Sequence, residues 1–446
     1  MMSVKESNTK PPAAIGWYRR IGPSLITACV VIGPGSVLTS SQVGAAEGYS
    51  RNWIVVAAAL FMMVYMAMGA KLGVASSQSP CTLIAQRAGR PVAVMIGISV
   101  FLIAAIFQFA NNLGVHAAVI SFVEYEAWYV PLLWIVPLNG LLLAFVFGFR
   151  NLYKALERLM MVFVALMLIA FAANLILARP NPTQLLWGLV PKWTGDMDIS
   201  VLGVVGTTFV IAAAFFQAYL VQQKGWGKDD VRQGIIDARV GTTVMLLITL
   251  MIVSTSAAVF YHPPTGNEAA EPVQLQSVGQ VAEQLRPLLG DWGQTVFCLG
   301  LFSAAYSSFL VNSMVGGLLL SDGFGLGSKP GEMWPRIFTA VVLIGGMFVA
   351  LAMIMADVKF VPVIIVAQAL VVIAWPLLAL VMLWLTNLPS VMGPSRNGLW
   401  MNLAAVAGFV LLLFMAYRTA FHAIPQKISQ LQEQRHVTPA EENAPE

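Results

Sequence analysis

Apolar residues run along this 446-residue chain in long blocks with short polar breaks between them. A helix needs about 20 apolar residues to cross a bilayer, because each residue adds ~1.5 Å of rise. On that rule eleven spans are predicted, near 22–47, 53–73, 93–123, 130–148, 152–178, 200–223, 239–261, 292–321, 334–356, 360–386 and 398–421. The third and eighth blocks exceed the minimum, so tilt or extension into water is expected there. The loop at 262–291 is the longest, and a short helix is expected in it around 275–289. The chain thus divides into a polar segment over 1–20, a transmembrane domain over 21–423 and a polar tail over 424–446. That tail is expected to be a frayed or surface-lying helix. No soluble second domain and no low-complexity tract is evident.

Charge placement then gives the spans a direction. Loops on the side of the N-terminus collect about 17 of the 25 basic residues, among them Arg19, Arg20, Lys71, Arg150 and Lys224. Loops on the other side collect Glu124, Glu126, Asp196, Asp198 and Glu268. Cytoplasmic loops are rich in Lys and Arg, so the N-terminus is expected in the cytoplasm. An odd number of spans then places the C-terminus outside. The first apolar run is too long for a signal-peptide core and contains Gly-Pro-Gly, so it is expected to be retained. A multi-pass protein of a plasma membrane, of the bacterial inner-membrane kind, is the expectation.

Composition narrows the class. The chain is 58% hydrophobic and 10% charged, against roughly 25% charged in soluble domains. A net charge of +4, without a basic patch interleaved with aromatics, argues against a nucleic-acid partner. Cys29, Cys81 and Cys298 are odd in number and far apart, which suits neither a disulfide framework nor a zinc site. His-Glu-x-x-His, Gly-x-Ser-x-Gly and the Gly-x-x-x-x-Gly-Lys loop are all absent. An enzyme and an ATP-driven pump are therefore disfavoured, and no cofactor is called for. Nothing in the sequence requires more than a monomer.

The candidate chemistry lies in two spans. The first carries Gly33-Pro34-Gly35-Ser36 at its centre. Proline removes a backbone donor, and each glycine costs a helix about 1 kcal/mol. The cluster reads either as a kink or as an unwound break, and a break is tolerated in a membrane only where protein or a water-filled cavity surrounds it. The sixth span, from Gly206 through Thr208 and Val210 to Gln217, has no proline to mark a break. Its place does mark one. It stands sixth in a five-plus-five arrangement, where the first span stands in the other half, and paired interrupted helices point to a transporter with a midplane site.

These residues resemble the NRAMP divalent-metal transporters. That family has Asp-Pro-Gly-Asn in its first span, followed by Gln-x-Gly-Ala; here Gly33-Pro34-Gly35-Ser36 precedes Gln42-Val43-Gly44-Ala45 at the same spacing. Its sixth span reads Gly-x-Thr-x-Met-Pro-His-Asn and continues to Leu-Val-Gln; here Gly206 to Leu220-Val221-Gln222 follows without a gap. Leu72-Gly73-Val74, Leu152 to Leu159, Leu288-Leu289-Gly290 and Gln368 with Pro376 extend the likeness over nearly the whole membrane domain. The resemblance implies an all-α integral membrane protein of the LeuT-type 5+5 inverted-repeat fold, with helices 1 and 6 broken.

The family's ligands do not carry over. Its metal-binding Asp, Asn and Met fall at Gly33, Ser36 and Val210, and its Pro-His-Asn becomes Ile211-Ala212-Ala213. The acidic pair proposed for proton movement in span three falls at Asn112 and Val115. No acidic residue is expected within the bundle, and no metal site is predicted. The substrate site is expected at Gly33, Pro34, Gly35, Ser36, Ser40, Thr208, Val210, Ile211, Ala212, Ala213, Gln217, Asn112 and Gln368. Thr39, Asn111, Tyr306 and Ser307 are further polar candidates, each equally able to serve as a plain interhelical bond. His116 is a candidate proton relay, although a lone intramembrane histidine more often bonds a neighbouring helix. Glu157 and Arg158 read as interfacial anchors or a gate pair.

Two half-helix N-termini facing a cavity without a carboxylate make its potential positive. A small inorganic anion such as bicarbonate is thus the expected substrate. A divalent metal ion, Mn or Mg, held by backbone groups and waters, is the alternative.

Overall fold

The computed structural model describes residues 22–123, 126–192, 199–262, 275, 278–358 and 360–425. The expected segment 1–20 and residues 426–446 of the expected tail 424–446 lie outside them. Nine helices among the described residues are long and apolar enough to cross a membrane; a pair bent by 58° adds a tenth span. The 17-residue apolar helix Leu132–Gly148 supplies the eleventh.

Span one consists of α1 (Pro23–Val31) and α2 (Pro34–Glu47). Ile32 and Gly33 leave the helix between them, and Gly33 is fully extended at φ −124° and ψ −178°. Pro34 then opens α2 at a first-turn position, where a missing N–H costs nothing. The bend is therefore a true break rather than a kink. Span two is α3 (Asn52–Ala75), followed by the short surface helix α4 (Pro80–Ala88). Spans three to five are α5 (Arg90–Ile120), α6 (Leu132–Gly148) and α7 (Leu152–Ala178), with α8 (Pro182–Trp187) after them. Span six is α9 (Ile199–Thr208) and α10 (Ile211–Lys224), interrupted at Phe209-Val210. Spans seven to nine are α11 (Val231–Phe260), α12 (Val278–Phe324) and α13 (Met333–Met355). Span ten is α14 (Phe360–Leu370) and α15 (Trp375–Asn387), joined by a tighter 3₁₀ stretch at Val371–Ala374. After α16 (Pro389–Met392), α17 (Leu399–Arg418) forms span eleven. We call the face where span one begins proximal and the opposite face distal.

Two boundaries differ from the sequence expectation for one reason: hydropathy does not register a helix that runs on into water. The helix expected at 275–289 is no separate element, because α12 is continuous over 47 residues. Span seven begins at Val231, not near 239, which brings Asp237 into a helix. Asp237 is 0% exposed and Asp322 1%. The expectation of a bundle without acids is thus corrected at its proximal end.

One seam sets the position of α10. A Cβ added at Gly69 would lie 2.0 Å from the Ala214 carbonyl oxygen, and one at Gly73 would lie 2.4 Å from that of Ala218. This small-x-x-x-small stripe lets the backbones of α3 and α10 touch. Overpacking costs about 1–3 kcal/mol, and more where the neighbour is backbone. Gly69→Val is expected to lower the thermal unfolding midpoint of the detergent-solubilised protein by several degrees. Gly140→Ala, where an added methyl meets nothing within 4 Å, is expected to leave it unchanged.

Candidate substrate site

The two breaks and span ten border a small cavity of about 10 Å³, lined by Val30, Val31, Gly33, Gly35, Ser36, Phe107, Asn111, Thr207, Val210, Asn312 and Gln368. Every one of these residues is buried. Five of the expected site residues meet here: Gly33, Gly35, Ser36, Val210 and Gln368. Close packing explains the arrangement. A Cβ on Gly35 would fall 2.2 Å from Gln368 Nε2, and one on Gly206 would fall 2.6 Å from the Gln368 carbonyl oxygen. Span ten therefore reaches both broken helices through glycines.

The other expected residues lie elsewhere. Pro34 turns toward span three, where a Cβ on Gly114 would meet its ring at 2.3 Å. Ser40 and Thr208 are buried with hydroxyls that lack a partner, yet neither lines the cavity. Ile211, Ala212 and Ala213 pack in the core as the first turn of α10. Asn112 accepts from Asn139 Nδ2 at 2.7 Å, so it bonds span four. Gln217 serves a network at the proximal face. Thr39 donates to the Gly35 carbonyl at 2.8 Å, Ser307 to that of Ala304 at 3.1 Å and Tyr306 to that of Leu138 at 3.3 Å. His116 stacks on Trp134 with ring centroids 5.8 Å apart. Glu157 pairs with Lys224 at 2.5 Å, an ion pair between spans five and six. Asn111, a further polar candidate, also lines it, and Val30, Val31, Phe107, Thr207 and Asn312 complete the lining without having been anticipated. Four of them are ordinary helix residues with no sequence mark; Thr207 stood beside the expected Thr208, one position out of register.

The cavity's polarity follows from which backbone groups are already satisfied. Ser308 Oγ lies 2.6 Å from the Cys29 carbonyl oxygen and 2.9 Å from that of Ile32, at the C-terminal end of α1, and its single proton goes to one of them. Trp375 Nε1 donates to the Gly206 carbonyl at 3.2 Å, near the end of α9. One carbonyl near each break thus has a side-chain donor. The N-terminal ends differ: Gly33 caps α2 and Val210 caps α10, neither with a side-chain hydrogen bond. First-turn N–H groups are the orphan donors of a helix. Ser36 Oγ and Gln368 Oε1 are buried and have no partner. The lining holds no carboxylate, imidazole or thioether. Among the described residues, no group of three or more His, Cys, Asp or Glu could hold a metal ion.

Close contacts flank the cavity on both sides. On the distal side α2 packs against α11 so closely that a Cβ on Gly44 would lie 2.3 Å from the Val253 carbonyl. A wider hollow opens beyond, lined in part by Glu47, Tyr49, Arg179, Lys192 and Tyr261. In that hollow burial raises the Tyr49 phenol above its ordinary range, against a lowering backbone bond at Asn181. On the proximal side Thr27 Oγ1 donates to Gln217 Oε1 at 3.2 Å, and Gln217 Nε2 donates to Asp237 at 2.9 Å.

Comparison with known proteins places this geometry. A family model described as "Natural resistance-associated macrophage protein-like" matches residues 24–422. The chain is 26% identical over 401 residues to the divalent metal cation transporter MntH of Chromohalobacter salexigens, covering 86% of this chain and 87% of that one. It is 29% identical over 313 residues to MntH of Erwinia tasmaniensis, covering 69% and 73%. Its fold matches the crystal structure of the Eremococcus coleocola manganese transporter with an aromatic bis-isothiourea compound. The TM-score is 0.73 at 18% identity, over 93% of this chain and 90% of that one.

Proposed function

This chain belongs to the natural resistance-associated macrophage protein-like family of membrane transporters and has its LeuT-like fold, and from that premise we propose that it carries a small inorganic anion such as bicarbonate through the midplane cavity. One observation carries the reading. The breaks present uncapped helix N-termini and the unpartnered Ser36 hydroxyl, and the cavity lining offers no carboxylate, imidazole or thioether. A divalent ion stripped of water wants carboxylates or other strong donors. Leaving its charge unanswered in the bilayer is costly. A planar monoanion suits the N–H donors of helix N-termini and a hydroxyl.

The second reading is divalent metal transport, of Mn or Mg. The comparisons back it better than they back the anion, because the relatives are named for divalent metal cations or manganese. On this reading backbone oxygens and waters take the place of the side-chain ligands. In either case the chain acts as a transporter and not as an enzyme. Its cavity residues Gly33, Gly35, Ser36, Val210 and Gln368 contact the ion, with 21–423 as the transport domain. It sits in a plasma membrane with the proximal face toward the cytoplasm.

Reconstituted vesicles separate the two readings. Labelled bicarbonate is expected to enter saturably, with no entry of Mn²⁺ by quenching of a trapped fluorophore. Saturable Mn²⁺ entry without bicarbonate uptake would establish the metal reading instead.

A further inference from the structure

Beyond the question of which ion is carried stands a buried acid that the cavity does not use. Asp237 lies in the second turn of α11 and is 0% exposed. Its Oδ1 accepts the Gly22 N–H at 2.9 Å, and its Oδ2 accepts the Ser24 N–H at 2.9 Å. Those are first-turn donors of α1, whose N-cap Gly22 has no side chain to answer them. Oδ2 also accepts Gln217 Nε2 from α10 at 2.9 Å, and Gln217 Oε1 returns to Thr27 of α1. One carboxylate therefore ties the first half of span one to the second half of span six. The Glu157–Lys224 ion pair closes over the same point. A Cβ on Gly22 would lie 1.8 Å from Glu157 Oε1 and 3.0 Å from Lys224 Nζ.

The topology gives this tie its consequence. α1 runs from the proximal face to the cavity, where Val30 and Val31 form part of the wall. It is buried along nearly its whole length, so it stands between the cavity and the proximal face. We propose that Asp237 is the positioning residue of the proximal gate, and that opening toward that face requires its bonds to α1 and α10 to break together. Hydrogen bonds to a charged acceptor are about twice as strong as neutral ones, and the helix dipole adds to those made at its N-terminus. The carboxylate thereby favours the closed state. Because Gln217 bonds both Asp237 and Thr27, the two half-helices are released as a unit and not one at a time.

The protein's own cysteines make the test. Cys29 lies in α1, 0% exposed; Cys81 and Cys298 are buried outside the tie. Vesicles of each orientation are treated with a membrane-impermeant maleimide. Asp237→Asn, which keeps one acceptor, is expected to raise the labelling rate of Cys29 roughly tenfold, from the proximal face alone. Gln217→Met, which leaves the Asp237 bonds to α1 in place, is expected to raise it less. Labelling of Cys81 and Cys298 is expected to stay at the wild-type rate. The proposal is overturned if Cys29 labelling does not change in either folded variant. It is overturned equally if all three cysteines become reactive together, or if Asp322→Asn exposes Cys29 as much, because Asp237 would then be an ordinary structural cap. The readout requires no knowledge of the substrate, so it stands or falls apart from the anion reading.

Discussion

Ser36→Asp protein in liposomes is expected to take up labelled bicarbonate at least ~100-fold more slowly than the wild type. Ser36 lies in the first turn of α2, 1% exposed, with its hydroxyl free toward the cavity. Two like charges ~4 Å apart at an effective dielectric of about 20 repel by about 4 kcal/mol. That corresponds to roughly three powers of ten in occupancy, so even a partly screened effect is large. The new carboxylate would also answer the helix N-terminus that an anion otherwise answers. The same variant discriminates between the two substrate readings. If the cargo is a divalent cation, the substitution supplies a missing ligand and cation entry rises. Unchanged bicarbonate uptake would mean that the anion does not pass beside Ser36.

Gly206→Val is expected to abolish transport to the limit of detection and to lower the thermal unfolding midpoint. Even its Cβ alone would lie 2.6 Å from the Gln368 carbonyl oxygen and 2.6 Å from Val372 Cγ2. The first contact is backbone, so α9 and α14 must separate where they enclose the cavity. Gly35→Ala provides the contrast. Its Cβ meets the Gln368 amide, the far end of a side chain that can swing aside. It is expected to weaken uptake roughly tenfold with little loss of stability. Equal stability losses in the two variants would show that span ten yields as readily as a side chain does.

Composition and residue pattern carried much of this architecture. Eleven apolar blocks became eleven spans, and Gly33-Pro34-Gly35 announced its own break because proline and glycine act locally. The break at Phe209-Val210 left no such mark, and its position came through register with a family motif. Asn111 and Asn112 are neighbours with identical chemistry, yet one lines the cavity and the other bonds Asn139. A rotation of about 100° along a helix decides that, and a single sequence does not fix the rotation. Asp237 was hidden for another reason. It sits among Arg232, Gln233 and Arg239, a polar stretch that reads as loop, and only the extra turns of α11 carry it into the bundle. The donors Ser308 and Trp375 were equally out of reach. Their importance lies in carbonyls from distant spans, 276 and 169 residues away.

The backbone seam between α3 and α10 has one further consequence. α10 is fastened along one flank to span two. Through the Tyr219 hydroxyl, 2.6 Å from Asp322 Oδ2, it shares a carboxylate with the start of α4, where Cys81 N–H and Thr82 Oγ1 donate at 3.1 and 2.7 Å. Whatever shifts the inner half of span six must drag a surface-lying helix with it. That helix is wet on one side, with Gln86 and Arg87 exposed. A dye attached to the exposed face of that helix is therefore expected to report a shift of α10 without entering the membrane.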